Sequence, residues 1–154
     1  MEQPQLYHIE DVAERSGLTK RTIRYWEEMG LLKPPSRTEG GYRLFSDDDL
    51  QRLQRIKKLK SLLGFSLAEI RDLVETDDLR LQLRAGMSPT IDAEDRRQTL
   101  EQMAELARHQ VERIDEKIHQ LAEMRDEYQR KLTRIRERVA ESARMASTPS
   151  AGTE

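Results

Sequence analysis

Between Thr19 and Leu32 the sequence reads TKRTIRYWEEMGLL, and within seven consecutive residues it gathers Lys20, Arg21, Arg24, Tyr25 and Trp26. Cations in that density suit one chemistry above others, pairing with phosphates and with base edges. The same run would also serve an ordinary solvated helix with one aromatic turned to the core. Charge distribution is compatible with the first use and does not by itself decide between them. From Arg15 to Lys60 there are twelve Lys or Arg against six Asp or Glu, although the whole chain carries a formal net charge of −2. A basic segment inside a mildly acidic protein, pI near 6.0, is the footprint of polyanion binding by one part of the chain.

Other chemistries find little to work with. The chain has no cysteine, which excludes disulfides, iron–sulfur ligation and thiolate metal sites. His8, His109 and His119 stand apart, the last two separated by ten residues rather than the three or four that would share one patch of a helix. No nucleophile–base pair and no phosphate-binding glycine loop with a lysine is visible, so neither an enzyme nor a cofactor or metal is expected. No apolar run reaches the length of a membrane span, and MEQPQLYH is neither basic nor apolar enough for a signal peptide. A soluble cytoplasmic protein is expected.

The basic run must be held by something. HIEDVAERSGL predicts a helix with Ile9, Val12 and Ala13 inward and Gly17 ending it. Thr19 then caps a second helix with Ile23, Trp26 and Met29 inward, ending at Gly30. In LLKPPSRTEGGYRLF, Pro34-Pro35 forbids helix, Gly40-Gly41 supplies a turn and YRLF alternates like a strand, which predicts a small hairpin or wing. Ser46 restarts helix, with Leu50, Leu53, Ile56, Leu59 and Leu63 as its buried stripe. SLAE at Ser66–Glu69 is a capping box for a fourth helix through Ile70, Leu73 and Val74. These elements form one domain over residues 1–75.

Residues 76–97 read as a hinge, with a short helix near Asp78–Arg84 and a loop in AGMSPTIDAED. Its apolar residues Leu79, Leu81, Leu83, Met87 and Ile91, with Met103 and Leu106 of the helix that follows, could pack hinge against helix or line a pocket for a small apolar ligand. Beyond it, Leu100, Ala104, Ala107, Val111, Ile114, Ile118, Leu121, Arg125, Tyr128, Leu132, Ile135 and Val139 alternate by fours and threes. That heptad seam predicts a coiled-coil helix over residues 98–143, with Arg125 fixing register. Forty residues of helix would extend about 60 Å, beyond what the first domain can cover, so the stripe calls for a partner helix, most simply a second copy. The tail 144–154 reads as disordered.

Helix, tight turn, cationic helix and cationic wing occur in the order that winged helix-turn-helix DNA binding requires. R-T-I-R-Y-W-E-E-M-G-L-L, R-T-E-G-G-Y-R-L-F and G-F-S-L-A-E-I-R-D-L, with the spacing between them, strongly resemble the DNA-binding domain of MerR-type transcription regulators. The resemblance covers about the first 75 residues. It implies a mainly α protein: a winged helix-turn-helix followed by a long helix paired antiparallel in a homodimer, through Val111, Ile114, Ile118, Leu121, Tyr128, Leu132 and Ile135. It implies DNA contacts from Arg21, Thr22, Arg24 and Tyr25 on the recognition helix and from Arg37, Tyr42 and Arg43 on the wing, with Thr19 and Lys20 at the helix start. Lys57, Lys58 and Lys60 would add charge. Double-stranded promoter DNA, a second copy and RNA polymerase are the implied partners, and the implied action is bending and untwisting of a promoter spacer.

The same resemblance removes some signals. Metal-, redox- and aldehyde-sensing relatives use cysteines, absent here, and the tail is too short for the separate ligand domain of multidrug-binding relatives. A second class of function is a coiled-coil interaction module that recruits a protein partner and is only tethered to DNA by the first domain.

Overall fold

The computed structural model describes residues 5–33 and 36–147. Pro34-Pro35 and the tail from residue 148 lie outside the described residues. In chain order the elements are β1 (Tyr7–His8), α1 (Ile9–Ser16), α2 (Lys20–Glu28), β2 (Ser36–Arg37), β3 (Arg43–Phe45), α3 (Asp47–Ser61), α4 (Leu67–Ala85) and α5 (Ala93–Ala146). The chain is mainly α, and its first part is a winged helix-turn-helix. It forms two compact units, Met1–Gln110 and Val111–Glu154.

Local chemistry starts the helices where capping side chains stand. Thr19 Oγ1 accepts the Thr22 amide at 3.1 Å, Ser46 Oγ accepts that of Asp49 at 3.2 Å, and Ser66 Oγ that of Glu69 at 3.2 Å. Asp49 and Glu69 return bonds to the cap amides at 2.8 and 2.6 Å, completing two capping boxes. Acids occupy the first turns of α1, α3, α4 and α5, complementing the helix dipole, whereas the first turn of α2 holds none. Gly17, at φ 67°, makes the left-handed residue that turns the chain from α1 into α2.

The turn closes a single core in the first unit. Val12 from α1, Ile23 and Trp26 from α2, Leu31 and Leu32 after it, Phe45 from β3, Leu53 and Ile56 from α3, and Ile70, Leu73 and Val74 from α4 are all buried together. The sheet has order β1-β3-β2 and is antiparallel throughout, with Tyr7 opposite Phe45, His8 opposite Leu44, and Arg37 opposite Arg43. β1 is not foreseen by the sequence because two residues carry no periodicity; His8, expected in the first helix, is its N-cap instead.

Three further expectations need correction. Leu63 does not join the α3 stripe: the helix ends at Ser61, and Leu62 and Leu63 are exposed. The fourth helix does not stop near Val74, nor is there a separate short helix at 78–84, because α4 runs unbroken to Ala85. Its polar middle is consumed internally. Thr76 Oγ1 donates to the Asp72 carbonyl at 2.7 Å, and Asp77, also buried, accepts from Gln110 Nε2 at 2.8 Å and Arg80 Nη2 at 3.1 Å. Lastly, α5 begins at Ala93 and reaches Ala146, so only residues 86–92 form the loop, and Met145, expected in the tail, is helical.

In the second unit, residues 111–146 of α5 make a helix of roughly 54 Å at 1.5 Å per residue. Val111, Ile114, Ile118, Leu121, Tyr128, Leu132, Ile135 and Val139 are all exposed on it, Ile118 by 58%. Lys131 Nζ stands 4.9 Å from the Tyr128 ring, and Arg125 pairs with its neighbour Asp126 at 2.8 Å.

Candidate nucleic-acid interface

α2 presents its two sides unequally. Ile23 and Trp26 are buried, while Arg21, Arg24 and Tyr25 are exposed. Arg21 and Arg24 form no hydrogen bond or ion pair with the described residues, so their full donor capacity faces solvent. At the helix start, the Thr19 and Thr22 hydroxyls bond each other at 2.8 Å. With no carboxylate in that turn, the uncompensated amide dipoles and the threonine pair make an end suited to phosphate.

Other predicted cations are already engaged. Lys20 Nζ pairs with Glu10 at 2.8 Å, and this hydrogen bond holds the Glu10 carboxyl below its ordinary range. Arg37 Nη1 donates to the Gly41 carbonyl at 2.8 Å, bracing the wing turn. Thr38 supports the same turn, donating its amide to the Tyr42 carbonyl at 2.9 Å and accepting the Tyr42 amide on Oγ1 at 3.1 Å. Tyr42 is 70% exposed at the wing tip. Arg43 is not paired with Glu39. Its Nε donates to Glu27 Oε2 on α2 at 2.6 Å. Arg24, Tyr42 and Arg43 nevertheless share one groove of about 190 Å³ with His8, Ile9, Glu10 and Gly41. Recognition helix and wing are thereby brought to a common surface.

Of the lysines on α3, Lys58 and Lys60 are exposed, but Lys57 is a structural cap: its Nζ donates to the Ser16 carbonyl at the end of α1, at 2.9 Å. Several residues that place the interface carry no signal in sequence. Arg52 Nε donates to the Leu31 carbonyl at 2.7 Å and its Nη1 to Asp78 at 2.7 Å, while Arg71 holds the Met29 carbonyl. They tie the end of the recognition helix to α3 and α4. Tyr7 donates to Asp47 Oδ1 at 2.9 Å, and this bond raises its phenol above the ordinary value. Such pairs join residues tens of positions apart, beyond any local spacing rule. Gln110 is buried at the α4–α5 contact, donating to the Leu73 carbonyl at 3.1 Å, whereas its neighbour Val111 is exposed. His109 Nε2 lies 3.0 Å from Asp72 Oδ2 in the same contact.

Of the apolar residues of the hinge and the helix after it, Leu79, Leu83 and Leu106 line one groove of about 670 Å³ with Gln82, Gly86, Thr99, Gln102 and Glu105. Leu81 instead faces a charged groove with Lys33, Arg52 and Asp78, and Met87, Ile91 and Met103 line neither. Among the described residues, no group of three or more His, Asp or Glu could hold a metal ion, and no helix is long and apolar enough to cross a membrane.

Residues 7–77 match the MerR HTH family regulatory protein profile. The HTH-type transcriptional regulator YfmP of Bacillus subtilis (strain 168) is 42% identical over 121 residues, covering 79% of this chain and 86% of YfmP. The HTH-type transcriptional regulator CueR of Salmonella typhimurium is 36% identical over 121 residues, covering 78% of this chain and 75% of CueR. Among solved structures, that of HiNmlR, a MerR family regulator lacking the sensor domain, bound to promoter DNA, superposes with a TM-score of 0.53 at 27% identity, over 88% of this chain and 94% of HiNmlR. With a helix-turn-helix, a wing and relatives of this extent, the chain belongs to the MerR family of helix-turn-helix transcriptional regulators.

Proposed function

We propose that the protein binds a palindromic promoter site in double-stranded DNA as a homodimer and regulates transcription by distorting that DNA. The observation that carries this is the pair Arg21 and Arg24, exposed and uncommitted on the recognition helix, with Arg24 in one groove with the wing tyrosine Tyr42. Arg21, Thr22, Arg24 and Tyr25 contact DNA from the helix, Thr19 and Lys20 lie at its start, and Arg37, Tyr42 and Arg43 contact it from the wing. Residues 1–75 read the site, 98–143 pair two copies, and 76–97 join the two functions. Charge supports an antiparallel pair: residues 93–119 hold seven acids and five bases, residues 120–146 five acids and seven bases. Antiparallel copies set each acid-rich half against a base-rich one. The protein acts in the cytoplasm, without enzymatic activity, cofactor or membrane, and meets RNA polymerase at the promoter.

Selection of genomic fragments by the purified protein, followed by sequencing, tests this. An inverted repeat within an overlong promoter spacer supports activation by distortion. Recovery of random fragments, or of single half-sites only, overturns the proposal. A second reading keeps the DNA-binding domain but makes α5 a docking helix for another protein, an alternative that the exposed seam from Val111 to Val139 also suits. Solution mass separates them, since a homodimer consumes the seam and a monomer leaves it for a partner.

A further inference from the structure

The wing is a lever with a polar tie to the recognition helix. Pairing between β1 and β3 ends at His8 and Leu44, and Phe45 anchors that end of β3 in the core. From Arg43 outward the hairpin is held by its own turn and by its pairing with β2. Among the described residues, the one hydrogen bond or ion pair joining α2 to the wing strands is Arg43 Nε to Glu27 Oε2, at 2.6 Å. Both ends are sheltered, with 28% of the Arg43 side chain and 15% of the Glu27 side chain exposed. This bond uses Nε and leaves the two terminal nitrogens of Arg43 for other acceptors.

We propose that Glu27 is a positioning residue for DNA recognition: acting through Arg43, it fixes the wing at the distance from the recognition helix at which Tyr42, Arg43 and Arg24 meet the same duplex. The proposal rests on the reading of that surface as the DNA interface. Glu27 stands three residues after Arg24, one turn along the same helix, so a carboxylate lies close to the groove that Arg24 and Arg43 line. Its charge alone opposes a polyanion. Keeping an acid there makes sense when the order it imposes outweighs the repulsion it adds. A wing free to swing would have to be ordered at each binding event, and pre-organisation removes that cost.

The sign of one substitution therefore decides between charge and position. By charge alone, Glu27→Ala removes an acid from a basic surface and tightens binding. By position, it frees the wing and weakens binding about tenfold, the size of one charged interaction removed. Affinities are measured by fluorescence anisotropy on a labelled duplex from the genomic selection, for E27A, E27Q, R43A and the E27A/R43A pair. E27Q keeps an acceptor for Arg43 Nε and retains most of the affinity. In the R43A background, E27A changes nothing further, because its route is already cut. Circular dichroism confirms that each variant is folded; should E27A fail to fold, E27M, which removes the acceptor but keeps the length of the side chain, replaces it in the same cycle. Binding by E27A that equals or exceeds wild type overturns the proposal, and so does an equal loss with and without Arg43. Arg24→Ala serves as the control. If it loses affinity while E27A does not, only the strut falls; if it too is without effect, the DNA reading falls and the strut with it.

Discussion

Arg24→Ala separates recognition from stability. The side chain is exposed and bonds to none of the described residues, so removing it breaks nothing in the fold. Stability should move by less than about 0.5 kcal/mol, with the slightly better helix propensity of alanine in its favour. Affinity should fall by about 1–3 kcal/mol, or roughly 5- to 150-fold. The salt dependence then says what Arg24 touches. If Arg24 meets a phosphate, the variant's slope of log K against log salt is shallower by about 0.9 and all sequences weaken alike. If it meets a base edge, the slope stays in place and discrimination relaxes at one base pair. The assay is anisotropy over about 50–200 mM salt, with a thermal melt of the free protein beside it. Unchanged affinity at every salt concentration refutes the interface. A melting point lowered by more than about 4 °C, equivalent to roughly 1 kcal/mol in a domain of this size, makes Arg24 a fold residue and refutes the separation.

Three other changes probe the rest of the molecule. Replacing Ile118 and Leu121 with Glu puts charge into the exposed seam, and light scattering should report monomers that hold a half-site poorly; an unchanged mass removes the coiled-coil assignment. Gly17→Ala forces a side chain into a left-handed residue at φ 67° and sets its Cβ 2.9 Å from Lys57 Nζ, which must shift on the Ser16 carbonyl it caps. A loss of about 2 kcal/mol in urea unfolding is expected, and none would mean the α1–α2 turn has another way to close. Gln110→Ala strips a donor from the Leu73 carbonyl and from Asp77. That change should cost about 1–3 kcal/mol, and a neutral result would show that water replaces the amide.

The sequence disclosed those parts of the fold that follow from near neighbours. Gly17, Thr19, Ser46 and Ser66 mark helix ends by chemistry confined to three or four residues, and each stands where that chemistry puts it. α4 escaped the same logic because VETDDLRLQLRA has no clear stripe: Thr76 and Asp77 are buried polar residues, while Leu79 and Leu81 are exposed. Residues that bury polar groups and expose apolar ones invert the usual pattern, and the partners that hold Asp77 include Arg55 and Gln110, far away in sequence, beside Arg80 one turn on. The candidate site divides the same way. Helix spacing alone turns Arg21 and Arg24 outward, yet nothing local assigns Lys20 to Glu10, Lys57 to Ser16 or Arg43 to Glu27. A count of cations therefore overstates the charge free for DNA.

The acid-free first turn of α2 sets a boundary for anyone who would engineer this protein. Routine stabilisation schemes place Asp or Glu at helix starts and gain about 0.3–1 kcal/mol each. Applied at Lys20, Arg21 or Thr22, such a change would give a hardier fold whose uncompensated helix end had been closed to phosphate. A screen that scored melting temperature alone would select the loss of function. Thermostable variants of this scaffold should draw their gains from α3 and α4, whose starts carry acids and do not line the groove of Arg24 and Tyr42.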